Sequence, residues 1–186
     1  MGASEQNLLS VTTRSVVSDY IYWRLHNSTN IEIANILTTE PNRINILMRQ
    51  LANESEIAYR FRSANIFPTD IPIIPANIHA TFLDIVENLF SDGICNWGRI
   101  IMLISYSGMI ALKCYEHNMP AMINLIIEWT EHYIDNDLKQ WIDSQKAWDG
   151  FGKHFENNRR QSLSRFATIM GTIGVLTLGA MYMTRH

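Results

Sequence analysis

The chain is poor in the features that mark enzymes and nucleic-acid binders. It has no glycine-rich phosphate loop, no His-Glu-x-x-His pair and no Gly-x-Ser-x-Gly elbow. These are common devices for holding phosphate, zinc or an activated serine. His117 and His132 stand without paired carboxylates at ligand spacing, which leaves a bundle di-iron site unsupported. Catalysis, a bound metal and a cofactor are therefore not expected. A net charge of −3 supplies no concentrated basic face, so nucleic acid is not an expected partner. Cysteine is scarce as well. Cys95 and Cys114 are the two present; on one helix they would stand about 28 Å apart, far beyond the roughly 7 Å a disulfide tolerates. Free thiols and a reducing compartment are expected. The start, Met1 to Gln6, has no apolar signal region and puts Gln6 where myristoylation wants Ser or Thr. Asn27-Ser28-Thr29 and Asn53-Glu54-Ser55 fit the glycosylation pattern, but a cytosolic chain would not meet that enzyme.

Strand patterning is also missing. No alternating apolar and polar stretch of useful length occurs, whereas helical spacing recurs throughout. Val16, Val17, Tyr20, Ile21 and Trp23 form one stripe; Ile44, Leu47, Met48 and Leu51 form another, with Pro41 expected in that helix's first turn. Ile78, Phe82, Ile85, Val86, Leu89 and Phe90 form a third. After Pro120 come Met122, Ile123, Leu125, Ile126, Trp129 and Tyr133. Pro68 and Pro72 leave room for one short helix between the second and third stripes. At 186 residues and 47% hydrophobic content, one ordinary domain with a sizeable core is affordable.

Two apolar runs differ in meaning. Ile100–Leu112 holds thirteen residues without a charge. That is too short to span a bilayer and fits a buried core helix, which needs neighbours on every side. It follows Asp92-Gly93, a turn, and Asn96-Trp97-Gly98-Arg99, which suggests a buried central helix holding one arginine at the edge of a hydrophobic groove. Phe166–Thr184 holds nineteen residues without a charge, between Arg165 and Arg185-His186. As a helix it reaches about 28 Å, close to the roughly 30 Å of hydrocarbon. Its glycines, Gly171, Gly174 and Gly179, suit a bilayer better than water, and Arg159, Arg160 and Arg165 before it favour a cytoplasmic domain. The expected architecture is all-α. Seven or eight helices over residues 1–160 surround a central hydrophobic hairpin (97–116 and 120–134), and residues 161–186 form a C-terminal transmembrane anchor.

Asp92-Gly93-Ile94-Cys95-Asn96-Trp97-Gly98-Arg99 resembles the first homology motif of the B-cell lymphoma 2 family of apoptosis regulators. Trp141-Ile142 with Trp148-Asp149-Gly150-Phe151 is similar to the second, Arg49 to Arg60 to the third and Arg14 to Leu25 to the fourth. Order, spacing and the apolar tail agree, so the likeness covers nearly the whole chain. In detail it is most similar to the pro-survival myeloid cell leukaemia 1 and Bcl-x branches. The Asn-Trp-Gly-Arg run ahead of a long apolar helix is the specific element, and the Trp-Asp-Gly-Phe piece supports it.

The resemblance implies a groove that takes the amphipathic death-motif helix of a pro-apoptotic family member. Arg99 would meet a carboxylate on that helix. Asn96 would cap the helix carrying Arg99 and reach the same carboxylate, and Gly98 would let the ligand backbone come close. Met48, Leu51, Phe82, Val86, Leu89 and Ile100 would make floor and walls, with Trp148 and Phe151 closing one end. Trp97 reads as a structural side chain locking the helix start, and Asp149 as a cap or internal partner. Without the resemblance, the apolar positions at helical spacing read as ordinary core and Arg99 as a surface residue. The implied partners are pro-apoptotic family proteins and a membrane, with homo- or heterodimers among family members. The implied place is the cytoplasmic face of the mitochondrial outer membrane or the endoplasmic reticulum.

Departures from the third motif matter. Met48 stands for the usual leucine, Ala52 for the small residue, Asn53 for the aspartate and Ser55 for an apolar anchor. Such a helix is a poor ligand for another member, which favours a pro-survival receptor over the alternative, a pore-forming effector that inserts the 100–134 hairpin into a bilayer. In the second motif Lys146-Ala147 replaces a glycine-containing turn, which leaves the geometry before Trp148 open.

Overall fold

The computed structural model describes residues 11–29, 40–62 and 76–157, which form seven helices and no strand. They are α1 (Thr13–Thr29), α2 (Arg43–Arg62), α3 (Ile78–Phe90), α4 (Trp97–Glu116), α5 (Ala121–Asn136), α6 (Lys139–Ser144) and α7 (Ala147–Asn157). The all-α expectation holds for these residues. The short helix expected near Pro68 and Pro72, the basic residues after Asn157 and the apolar run 166–184 lie outside them. Among the described residues no helix is long and apolar enough to cross a membrane.

The centre of the fold is α4. Every residue from Trp97 to Gly108 is buried, because a helix apolar on all sides is stable in water only when neighbours cover each side. Helices α1, α2, α3 and α5 pack around it. Two of its buried serines are answered internally. Ser107 Oγ lies 2.8 Å from Thr130 Oγ1 on α5, and Ser105 Oγ donates to the Ala52 carbonyl of α2 at 3.2 Å.

Helix ends follow from side chains that the sequence supplies. Thr12 Oγ1 accepts the Ser15 amide at 3.1 Å, and Asn42 Oδ1 accepts the amides of Ile44 and Asn45 at 2.9 and 3.0 Å. Pro41 is therefore not in the first turn of α2, as its N1 preference suggests. The Asn42 cap starts the helix after it, and Pro41 precedes the cap. Between α4 and α5, Asn118 takes a left-handed φ of 58°. Its amide donates to Tyr115 at 3.0 Å and that of Met119 to Cys114 at 2.8 Å, a Schellman ending that Pro120 then seals.

The face of α5 differs from the expected one. Ile123, Ile126, Ile127, Thr130 and Ile134 are buried, while Leu125 is exposed and Met122, Trp129 and Tyr133 are half-buried. Hydrophobicity alone includes Leu125 in the stripe; the spacing of the others turns it outward. Both cysteines are free thiols, Cys114 buried and Cys95 half-buried.

Candidate functional site around Arg99

The loop from Ser91 to Cys95 is built to hold a carboxylate beside the start of α4. Gly93 adopts φ 71°, a left-handed conformation that glycine enters without steric cost. Its amide donates to the Phe90 carbonyl at 2.9 Å, closing the turn off α3. Asp92 Oδ1 accepts the Ile94 amide at 2.9 Å. Asn96, in extended backbone, caps α4 by accepting the Arg99 amide at 2.9 Å. Arg99 thus sits in the first helical turn, three residues past the cap, as the sequence suggests.

The Arg99 side chain is 6% exposed and the Asp92 side chain 47%. The two form an end-on pair. Nη2 donates to Oδ2 at 2.6 Å and Nη1 to Oδ1, while Nη1 also donates to the Ile94 carbonyl at 2.7 Å. Nε of Arg99 is buried and has no partner. The Arg99 guanidinium, helped by the Ile94 amide, holds the Asp92 carboxyl well below the usual carboxylate range. Burial pushes the Cys95 thiol up to about 11 against the nearby charge of Arg99. The guanidinium is thus sunk at the base of an apolar helix and paired internally, with the carboxylate of Asp92 outermost.

The other sequence-derived site residues are all buried in the core. Met48 and Leu51 lie on α2, Phe82, Val86 and Leu89 on α3, and Ile100 directly after Arg99 on α4; Gly98 is buried beside it. These side chains belong to one apolar cluster that the three helices share. All of these side chains are buried, so they line no groove open to solvent. Trp148 and Phe151 are not at an open end. They join Trp97 in an aromatic cluster, with Trp97 to Phe151 at 5.3 Å and Trp97 to Trp148 at 5.9 Å between ring centres. Trp148 Nε1 donates to Thr13 Oγ1 at 3.1 Å, which in turn donates to Asp135 at 2.5 Å; one hydrogen-bonded chain ties α7, α1 and α5. A buried indole N–H needs such a partner. Trp97 locks the helix start, and Asp149 is exposed in the first turn of α7.

Three features of the structure are not marked in the sequence pattern. Asp92 reads as a turn residue, although its place seven before Arg99 across a glycine turn would allow the pairing. The other two join α1 to α2. Arg49 pairs side-on with Asp19 at 2.8 and 2.6 Å, and Arg24 with Glu56 at 2.8 and 2.7 Å. Neither partner can be chosen from spacing, because each pair spans about 30 residues.

The third-motif helix is thereby fixed to the body. Met48, Ala52, Ser55 and Glu56 of α2 are buried and Asn53 is half-buried. A shallow cleft between α2 and α4, lined by Ser55, Glu56, Met102, Ser105, Tyr106 and Met109, is far too small for a helix. Among the described residues no group of His, Cys, Asp and Glu is placed to hold a metal ion.

Comparison with known proteins follows the same lines. Residues 44–148 match the family described as "Apoptosis regulator proteins, Bcl-2 family". The chain is 29% identical to human Bcl-2-like protein 1 over 143 residues, 73% of this chain and 60% of that protein. It is 26% identical to chicken apoptosis regulator Bcl-2 over 151 residues, 77% of this chain and 64% of that one. It is 26% identical to Xenopus laevis apoptosis regulator R1 over 180 residues, 91% of this chain and 75% of that one. The chain thus spans about 60% of the length of the mammalian Bcl-2-like protein 1 relatives.

Proposed function

The chain belongs to the Bcl-2 family of apoptosis regulators, and from that premise we propose that it is an anti-apoptotic member that sequesters the amphipathic death-motif helix of pro-apoptotic relatives. The observation that carries this reading is the state of α2. An effector must release its third-motif helix to donate it to a partner. Here two side-on arginine–carboxylate pairs hold α2 to α1, and Met48, Leu51 and Ala52 are buried. Releasing α2 would separate both pairs and expose these apolar side chains to water, and the freed helix would offer Asn53 where an arginine in a partner groove wants a carboxylate. Such a molecule is fitted to receive a helix.

The receiving face is the one shared by α2, α3 and the start of α4. A ligand helix would have to part these helices to reach Phe82, Val86 and Leu89, seat its apolar residues there and bring its carboxylate to Arg99. A charge-assisted bond in those apolar surroundings is stronger than a neutral one. Residues 161–186 would anchor the helical domain, residues 1–160, to the cytoplasmic face of the mitochondrial outer membrane or the endoplasmic reticulum. Removal of everything from Phe166 onward should then shift the protein from the membrane to the soluble fraction of cells.

Isolated mitochondria test the reading against its rival. Added with a death-motif peptide that activates an effector already present, this chain should retain the intermembrane contents. Release of those contents by the chain itself, in organelles stripped of other effectors, would assign the pore-forming activity instead.

A further inference from the structure

Ser55 stands where the third motif has an apolar anchor, and its hydroxyl lies between two helices. The residue is 4% exposed and lines the cleft between α2 and α4 with Glu56, Met102, Ser105, Tyr106 and Met109. Among the described residues this hydroxyl has no hydrogen-bond partner, whereas buried polar side chains are as a rule bonded to protein or to ordered water. The surroundings define what can answer it. Ser105 gives its one hydroxyl proton to the Ala52 carbonyl at 3.2 Å, so toward the cleft it can only accept. Glu56 holds both oxygens on Arg24, at 2.8 and 2.7 Å, so its charge is already matched and calls for no cation. Met102 and Met109 supply apolar wall. The cavity volume is about 10 Å³, room for one water and for nothing larger.

We propose that the cleft is a site for one neutral molecule of water's size, which donates to Ser105 Oγ, shares a hydrogen bond with the Ser55 hydroxyl and so bridges α2 to α4. Water fits the chemistry, because it donates and accepts at once and carries no charge. A bridge of this kind is nearly as favourable in enthalpy as a direct bond. It also changes what parting the two helices entails. A large apolar side chain at position 55 would have to pass from core to solvent. Ser55 instead releases one water and exposes a hydroxyl that solvent satisfies, so it keeps the seam between α2 and α4 separable. That consequence rests on the groove reading above; the water site does not.

Oxygen-17 relaxation dispersion counts long-lived internal waters, and it is applied to the full chain as wild type, Ser55→Val and Ser55→Ala. Valine puts apolar carbon in place of the hydroxyl and fills the cavity. The count should therefore fall by one, with thermal unfolding unchanged or higher. Alanine leaves the space but removes a hydrogen-bonding partner, so the water should exchange faster and drop from the count as well. This second variant decides the matter if valine prevents folding. An equal count in the folded wild type and variants overturns the site. A death-motif peptide titrated into the same proteins tests the seam. Ser55→Val should bind it about tenfold more weakly, since more apolar surface must then be exposed to part the helices. Equal binding with a lowered count overturns the separable seam and upholds the water site. A peptide that does not bind the wild type refutes the groove reading instead, and the count alone then judges the site.

Discussion

Arg49 of α2 closes a two-bond, side-on pair with Asp19 of α1, and its guanidinium carbon also stands 5.9 Å from the centre of the Trp23 ring. Asp19 is 7% exposed and Arg49 17%, so solvent screens the pair little. With Arg24 and Glu56 it explains why the helix bearing the third motif belongs to the body of this protein and is not a free segment.

The pair gives the first prediction. Asp19→Ala leaves Arg49 buried without its carboxylate and should lower stability by about 3–5 kcal/mol, whereas the double change Asp19→Leu with Arg49→Met should come close to the wild type. Urea unfolding of the single and double variants provides the cycle. A cost below 1 kcal/mol for Asp19→Ala would mean that the clasp does not hold α2.

Lys146 and Ala147 stand at φ 66° and 50°, left-handed for two side chains that disfavour it. The turn brings the Gln145 carbonyl to where a Cβ on Gly150 would sit, 1.6 Å away, and the Gly150 amide donates to the Lys146 carbonyl at 3.2 Å. A left-handed residue costs about 1–2 kcal/mol, part of which glycine gives back through its freer unfolded chain. Lys146→Gly should therefore stabilise by about 0.5–1 kcal/mol, and Gly150→Ala should destabilise by more than about 2 kcal/mol. Thermal unfolding of both variants must move in opposite directions.

The thiols supply a pH prediction. Burial raises Cys95 and Cys114 to about 11, above the ordinary value near 8.5. Between those values the unfolded chain has lost thiol protons that the folded chain keeps. Stability from this source is therefore full below about pH 8.5 and declines as pH rises toward 11. Alkylation of the native protein by iodoacetamide should be slow at pH 7.5 and still accelerating at pH 10, where an ordinary thiol has levelled off. A plateau by pH 9.5 would contradict the burial of both groups.

What could be read before the fold was known, and what could not, follows from where each signal lies. The central helix was legible because Ile100–Leu112 has no charge to offer water, and the cap because Asn96 stands immediately before Trp97-Gly98-Arg99. Arg99 at the mouth of that helix was legible for the same reason. Asp92 was not, since an Asp-Gly pair announces a turn whether or not its carboxylate has a partner. Asp19–Arg49 and Arg24–Glu56 were out of reach because pairing across two helices depends on their rotation about each other. Apolar spacing named Met48, Leu51, Phe82, Val86 and Leu89 but could not say whether they lie open or covered. Spacing could not say how Trp148 and Phe151 pack, because aromatic residues suit a rim as well as a core. Their contacts with Trp97 and the Thr13 hydroxyl settle them in the core.

The most direct test is calorimetric titration of the full chain and its Arg99→Ala variant with a death-motif peptide carrying the acidic residue. The wild type should bind, and the variant should bind more weakly by about 1.5–3 kcal/mol, the value of a hydrogen bond to a charged group. Equal affinity for the two proteins would take Arg99 out of the site, and with it the reading of this face as the receptor for a ligand helix.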